Sequence, residues 1–181
     1  MAENEHHSAA PSAWVERWSV LLPPGGEVLD VACGGGRHAR FFAGRGHAVE
    51  AVDRDAGVLA ALAGVGGVHT RCADLEEGAW PYGVRHFDGV VVTNYLHRPL
   101  LASLVAAVGP GGVLIYETFA AGNERLGRPS NPAFLLNPGE LLDAVRGELR
   151  VVAYEDLTVN HPKPAAIQRI CAVRSPRRGG S

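Results

Sequence analysis

The sequence predicts an α/β fold, a mostly parallel β-sheet covered by helices and ending in an antiparallel hairpin. Three observations carry this reading. Strand-like apolar runs alternate with helix-length segments through residues 27–118, the rhythm of βαβ units with parallel strands. Gly34, Gly35 and Gly36 join the first of these runs directly to a helix-competent segment. The last two runs, residues 149–159 and 166–173, lie too close in sequence for a parallel crossover, so they must pair antiparallel.

The elements follow in order. Residues 1–11 read as a flexible tail, polar and without the apolar core of a signal peptide. Ser12 is placed to N-cap a helix over 13–22, with Trp14, Trp18, Leu21 and Leu22 on one face. Pro23-Pro24-Gly25-Gly26 stops that helix. Strand one covers 27–33, and the helix over 37–43 is closed by Gly44 and Gly46. Strand two spans 47–53, an Ala/Leu-rich helix 55–63, and a weaker strand three 68–75. Strand four, 87–95, contains the buried-type run Val90-Val91-Val92. A helix over 99–108 ends at Gly109-Pro110-Gly111-Gly112, and strand five covers 113–118. Residues 120–137 make a long loop, of a length that is usually functional or disordered. A last helix spans 138–146 before the hairpin.

The hairpin also sets an orientation. Strand six runs parallel to the others, so the turn holding His161 and Lys163 lies beyond the carboxyl edge of the sheet. Open α/β sheets bind ligands at that edge.

With 181 residues, 46% of them hydrophobic and 20% charged, the chain is expected to form one globular domain over 12–175. Residues 176–181 read as a second flexible tail, and Arg174, Arg177 and Arg178 are too few for a nucleic-acid arm. The net charge of −2 gives no attraction to nucleic acid or anionic membrane, which favours a small-molecule substrate. No apolar run is long enough to span a bilayer. Cys33, Cys72 and Cys171 are widely spaced, as in reduced cytoplasmic proteins, and no His/Cys cluster has metal-site spacing. A monomer or homodimer is expected.

The glycine turn admits two cofactors. Gly34-Gly35-Gly36-Arg37-His38-Ala39 satisfies the dinucleotide pattern G-x-G-x-x-A, with Asp53 ending strand two as a ribose ligand. Against a dinucleotide stand Asp30, a carboxylate close to where a pyrophosphate would sit, and a chain too short for a substrate domain. S-adenosylmethionine has no phosphates and carries an ammonium and a sulfonium. Asp30 suits its positive end, directly or by fixing the loop, and Asp53 can accept from both ribose hydroxyls.

These residues resemble the class I S-adenosylmethionine-dependent methyltransferases. Asp30-x-Ala32-x-Gly34-x-Gly36 is similar to the family's first motif, Asp/Glu-x-Gly-x-Gly-x-Gly. Asp53 resembles the acidic residue after strand two, Ala73-Asp74-Leu75 the adenine-side motif, and Gly109-Pro110-Gly111-Gly112-Val113-Leu114 the turn before strand five. The resemblance covers residues 27–173, and the small bacterial tellurite-resistance-type enzymes are the most similar branch. It implies a Rossmann-like three-layer sandwich with strand order 3-2-1-4-5-7-6 and strand seven antiparallel. It implies S-adenosylmethionine held by Asp30, Ala32, Cys33, Gly34, Gly36, Arg37, Asp53, Arg54, Ala73, Asp74, Leu75 and Asn94. Ala32 replaces the family's first glycine, which alanine tolerates if its φ is negative. Cys33 is expected to pack rather than react.

Methyl transfer is an in-line displacement that needs orientation, water exclusion and sometimes a base. The end of strand four supplies the catalytic candidates, Tyr95 to orient a nucleophile and His97 to take a proton. The plain alternatives are that Tyr95 packs and that His97 begins the following helix. Glu117, Arg125, Arg128 and His161 are the substrate candidates, with Arg125 or Arg128 expected to pair with Glu117. Trp14 and Trp18 either cover the site's mouth or pack in the core. Two other functions fit the same turn: a nicotinamide-dependent oxidoreductase, and a cofactor-binding module without catalysis.

Overall fold

The computed structural model describes residues 10–176. The expectations for the rest of the two tails, including Arg177 and Arg178, lie outside the described residues. The helices are α1 (Ala13–Trp18), α2 (Arg37–Ala43), α3 (Ala56–Ala60), α4 (Leu101–Ala107) and α5 (Glu140–Val145). The strands are β1 (Glu27–Val31), β2 (Ala48–Asp53), β3 (Val68–Cys72), β4 (Phe87–Thr93), β5 (Val108–Phe119), β6 (Arg150–Val159) and β7 (Ala165–Val173). They form one sheet in the order β3-β2-β1-β4-β5-β7-β6. All pairs from β3 to β5 are parallel, and β7 runs antiparallel to both β5 and β6. This is the Rossmann-like methyltransferase topology.

Period-two alternation gives the sheet two apolar faces. Leu29, Val31, Val90, Val92, Leu114 and Tyr116 belong to one core, with α4 and α5 residues Leu104 and Leu141. Val28, Val91, Val113 and Ile115 belong to the other, with Trp14, Phe42 and Leu59 from α1, α2 and α3. Asp30 has the parity of Val28, so its carboxylate points under α2 into an apolar layer.

Several element ends differ from the sequence reading. The helix expected over 13–22 is α-helical only to Trp18 and continues as a 3₁₀ turn, Ser19–Leu21. That change of pitch turns Leu21 outward, 38% exposed, while Leu22 stays buried. Residues 99–108 begin with a 3₁₀ turn, Arg98–Leu100, and α4 stops at Ala107. Gly109-Pro110-Gly111-Gly112 lies within β5, where the register against β4 shifts between Phe87 and Gly89. The β-pairing of the flanking residues outweighs the turn propensity of the glycines. Ser12 caps α1 as expected, its Oγ accepting from the Trp14 N–H at 3.1 Å. Trp14 packs as core, its Nε1 donating to the Ile170 carbonyl at 3.2 Å.

The loop over 120–137 is ordered, because side chains bind its backbone. Asn123 is buried; its Nδ2 donates to the Pro129 carbonyl and its Oδ1 accepts from the Ala166 N–H. Arg98 donates to the Ala133 and Leu135 carbonyls and clasps both oxygens of Glu140. A guanidinium holding two carbonyls and a carboxylate fixes a loop strongly.

Candidate active site

Parallel strands bring their carboxyl ends to one edge, and the site assembles there. The carboxyl end of β2 and the segments after β1, β2, β3 and β4 contribute Ala32, Asp53, Arg54, Ala73, Asp74, Leu75, Glu76 and Tyr95 to a cavity of about 200 Å³. A second cavity, of about 280 Å³, is lined from β4 onward by Asn94, Tyr95, Leu96, Thr118, Phe119, Pro129 and Phe134, and again by Glu76. Glu76 and Tyr95 are walls of both.

The glycine turn is held open by its backbone. Gly36 has φ +76°, and a Cβ there would stand 2.4 Å from the Leu62 side chain. Only glycine lets α3's neighbour pack so closely on the start of α2. Ala32 has φ +50°, which corrects the expectation of a negative value. The chain must turn sharply out of β1 at that point, and alanine accepts the left-handed conformation at a cost of about 1–2 kcal/mol.

Asp53 organises the loop. Its Oδ2 accepts from the Gly34 N–H at 2.9 Å and its Oδ1 from the Asp55 N–H at 3.0 Å. Each oxygen keeps a further lone pair. Asp30 is buried, and its Oδ2 has no hydrogen-bond partner. Burial pushes its pKa up to about 7, against the Ala39 backbone N–H and the Arg37 charge, which favour the carboxylate. Cys33 is buried, and burial followed by the charges of Asp30 and Asp53 drives its thiol pKa upward. It packs into the core under α2, as expected.

Tyr95 has its hydroxyl buried without a hydrogen-bond partner. Burial, then the adjacent Glu76 carboxylate, raises its pKa. Its carbonyl accepts from the Tyr116 hydroxyl at 2.7 Å, which anchors the turn after β4. Asn94, at φ +54°, donates its N–H to the Glu117 carbonyl at 3.0 Å. His97 is half-buried at the start of the 3₁₀ turn and lines neither cavity.

Glu117 does not pair with Arg125 or Arg128. Its Oε2 accepts from Arg169 at 3.1 Å and its Oε1 from the Ser12 hydroxyl at 2.6 Å. Glu117, Arg169 and Glu155 stand opposite one another across β5, β7 and β6, so sheet register makes the ion-pair row. The Arg169 guanidinium also lies 4.8 Å from the Trp14 ring centroid. Arg125 is 84% exposed beside Glu124, and Arg128 and His161 are exposed; none of the three lines either cavity.

Sequence reasoning missed Glu76, although it follows Asp74-Leu75 directly, and it missed Phe134. It also missed His38, whose Nε2 accepts the Ser12 N–H at 3.1 Å.

The first cavity presents the carboxylates of Asp53, Asp74 and Glu76 against one guanidinium, Arg54. Such a wall repels a pyrophosphate and suits a ligand bearing hydroxyls, amines and positive charge. A family model described as a methyltransferase domain matches residues 28–112. Malonyl-(acyl-carrier protein) O-methyltransferase of Serratia marcescens is 32% identical over 139 residues, 75% of this chain and 50% of that protein. The methyltransferase-domain match and the sheet order β3-β2-β1-β4-β5-β7-β6 support the class I S-adenosylmethionine-dependent methyltransferase family.

Solved structures agree with this fold. TehB from Haemophilus influenzae has a TM-score of 0.74 at 17% identity, covering 93% of this chain and 63% of that one. An S-adenosylmethionine-dependent methyltransferase from Mesorhizobium loti has a TM-score of 0.68 at 19% identity, covering 90% of this chain and 99% of that one. The chain spans about half the length of the curated relatives it matches. S-adenosylmethionine is the family's cofactor, and the free lone pairs of Asp53 and the acidic wall fit it, while Asp30 is buried and does not line the cavity.

Proposed function

We propose that this methyltransferase moves the methyl group of S-adenosylmethionine to a small-molecule acceptor. The observation that carries the reading is the pair of cavities at one sheet edge with Glu76 and Tyr95 as common walls. One is chemically matched to the donor, and the other is open to an acceptor.

In this reading Asp53 accepts from the two ribose hydroxyls, and Ala73, Asp74, Leu75 and Arg54 flank the adenosyl end. The turn through Ala32, Cys33, Gly34, Gly36 and Arg37 runs beneath the methionine portion, with Asn94 beside it. Asp30 balances positive charge from below. S-adenosylmethionine, when bound, supplies an electrophilic methyl group on a sulfonium. The chain's residues supply orientation and exclude water. Tyr95 offers a buried hydroxyl to position the acceptor, whereas His97 lines neither cavity, so we assign it no proton transfer. His38 is not a base either, because its Nε2 is occupied and burial then Arg37 lower its pKa to about 3. Glu117 is committed to Ser12 and Arg169, and Arg125, Arg128 and His161 stand outside both cavities, so we assign them no contact with the reacting atoms. All three cysteines are free thiols, which suits the reducing cytoplasm.

Calorimetry with S-adenosylhomocysteine tests the reading. Saturable binding is expected, and folded protein that takes up no ligand at millimolar concentration overturns it. Transfer of a labelled methyl group to a metabolite pool then separates an enzyme from a binding module.

A further inference from the structure

We propose that the methyl acceptor is an amine carried on a small apolar or aromatic body, and that Glu76 selects it. The proposal rests on the methyltransferase reading above and concerns the second cavity.

The cavity's walls divide by chemistry. Leu96, Phe119, Pro129 and Phe134 give it an apolar side, and its charge comes from Glu76 alone; no basic side chain lines it among the described residues. Phe134 is 49% exposed, although its loop is pinned by Arg98 and capped by Asn131. A fixed loop that holds an aromatic ring toward solvent beside a cavity is built to cover an apolar ligand. At about 280 Å³ the space lies at the small end of ligand pockets, room for one ring and a short arm.

The polar corner is specific in sign. Glu76 lines both cavities, and the buried Tyr95 hydroxyl stands beside its carboxylate. Glu76 is exposed at the wall shared by the two cavities, where its carboxylate attracts an ammonium and accepts its N–H groups. It repels carboxylates and oxyanions, including a metalloid oxyanion. An ammonium supplies N–H donors that the Glu76 carboxylate and the Tyr95 hydroxyl oxygen can both accept, so its nitrogen lone pair, once freed, stays available to the methyl carbon.

The reaction balances. The ammonium bound at Glu76 releases one proton to water, which frees its nitrogen lone pair. That pair forms the N–C bond to the methyl carbon as the C–S bond breaks, its electrons remaining on sulfur. The product leaves as a methylammonium, with one proton released per turnover.

The test compares benzylamine, benzyl alcohol, phenylacetate and tellurite as acceptors for the full chain saturated with S-adenosylmethionine. Benzylamine is expected to be methylated at least tenfold faster, by kcat/KM, than the other three. Glu76→Gln should lower the benzylamine-to-benzyl alcohol ratio at least tenfold, and Glu76→Asp should restore part of it. A structural or cofactor-binding effect of Glu76 would leave that ratio unmoved, and an unmoved ratio overturns the proposal. So does methylation of phenylacetate or tellurite in preference to benzylamine. If S-adenosylhomocysteine binds and no amine is methylated, this inference alone fails. If it does not bind, the methyltransferase reading fails with it.

Discussion

The backbone N–H of Ser12 donates to Nε2 of His38 at 3.1 Å, tying the start of α1 to the first turn of α2. An imidazole nitrogen that accepts carries no proton, so His38 is neutral with its hydrogen on Nδ1, facing the Thr93 hydroxyl at 3.4 Å. Burial, then Arg37, hold its pKa down at about 3. A histidine depressed on folding contributes stability above its unfolded pKa of about 6.5, lost as pH falls toward 3. His38→Gln should lose about 1–2 kcal/mol at pH 7.5 and show a shallower decline from pH 6.5 to 4. Thermal unfolding at several pH values checks this, and parallel wild-type and variant profiles would contradict it.

Asp30 acts with the opposite sign. Its folded pKa, raised to about 7 by burial, exceeds the unfolded value of 3.8, so its contribution is present below pH 4 and lost as pH rises through 7. Asp30→Asn should therefore be more stable than wild type at pH 8, on the order of 1–4 kcal/mol. The variant should also lose stability more steeply below pH 6.5, since His38 then acts unopposed. Equal stability at pH 8 would show that Asp30 is well solvated.

Ala32 stores backbone strain at φ +50°. Ala32→Gly should relieve it, offset by the greater unfolded-state entropy of glycine, for a net gain of about 1 kcal/mol or less. The expected rise in Tm is roughly 2–4 °C. A lower Tm would mean that the Ala32 methyl group makes a packing contribution larger than the strain.

Asp53 accepts the Gly34 and Asp55 amides and lines the first cavity. Asp53→Ala should weaken S-adenosylhomocysteine binding by at least ~1 kcal/mol, about fivefold or more, through lost ribose contacts and a loosened turn. Calorimetry on folded variant reads this directly, and wild-type affinity would remove Asp53 from the ribose site.

Much of the framework was legible because it is encoded over short distances. The Ser12 cap, the alternation of β1 and β4, and the short link between β6 and β7 depend on neighbours in sequence. The order of seven strands came from a resemblance carried by Asp30, Asp53 and the glycine turn, and the sheet bears it out. The φ of Ala32 was not legible, because the exit angle from β1 depends on how α2 packs against the sheet.

The sequence by itself determined the α/β class, the terminal hairpin and the acidic, glycine-rich edge that suits a methyl donor. Only the tertiary structure decided that Glu117 answers Arg169, not the arginines of its own loop, because strand register places them side by side. Only the tertiary structure joined Glu76, Tyr95, Phe119 and Phe134 around a second cavity. Local propensity specifies strands and turns, but the sign and shape of a pocket arise where distant loops converge, and packing sets that convergence.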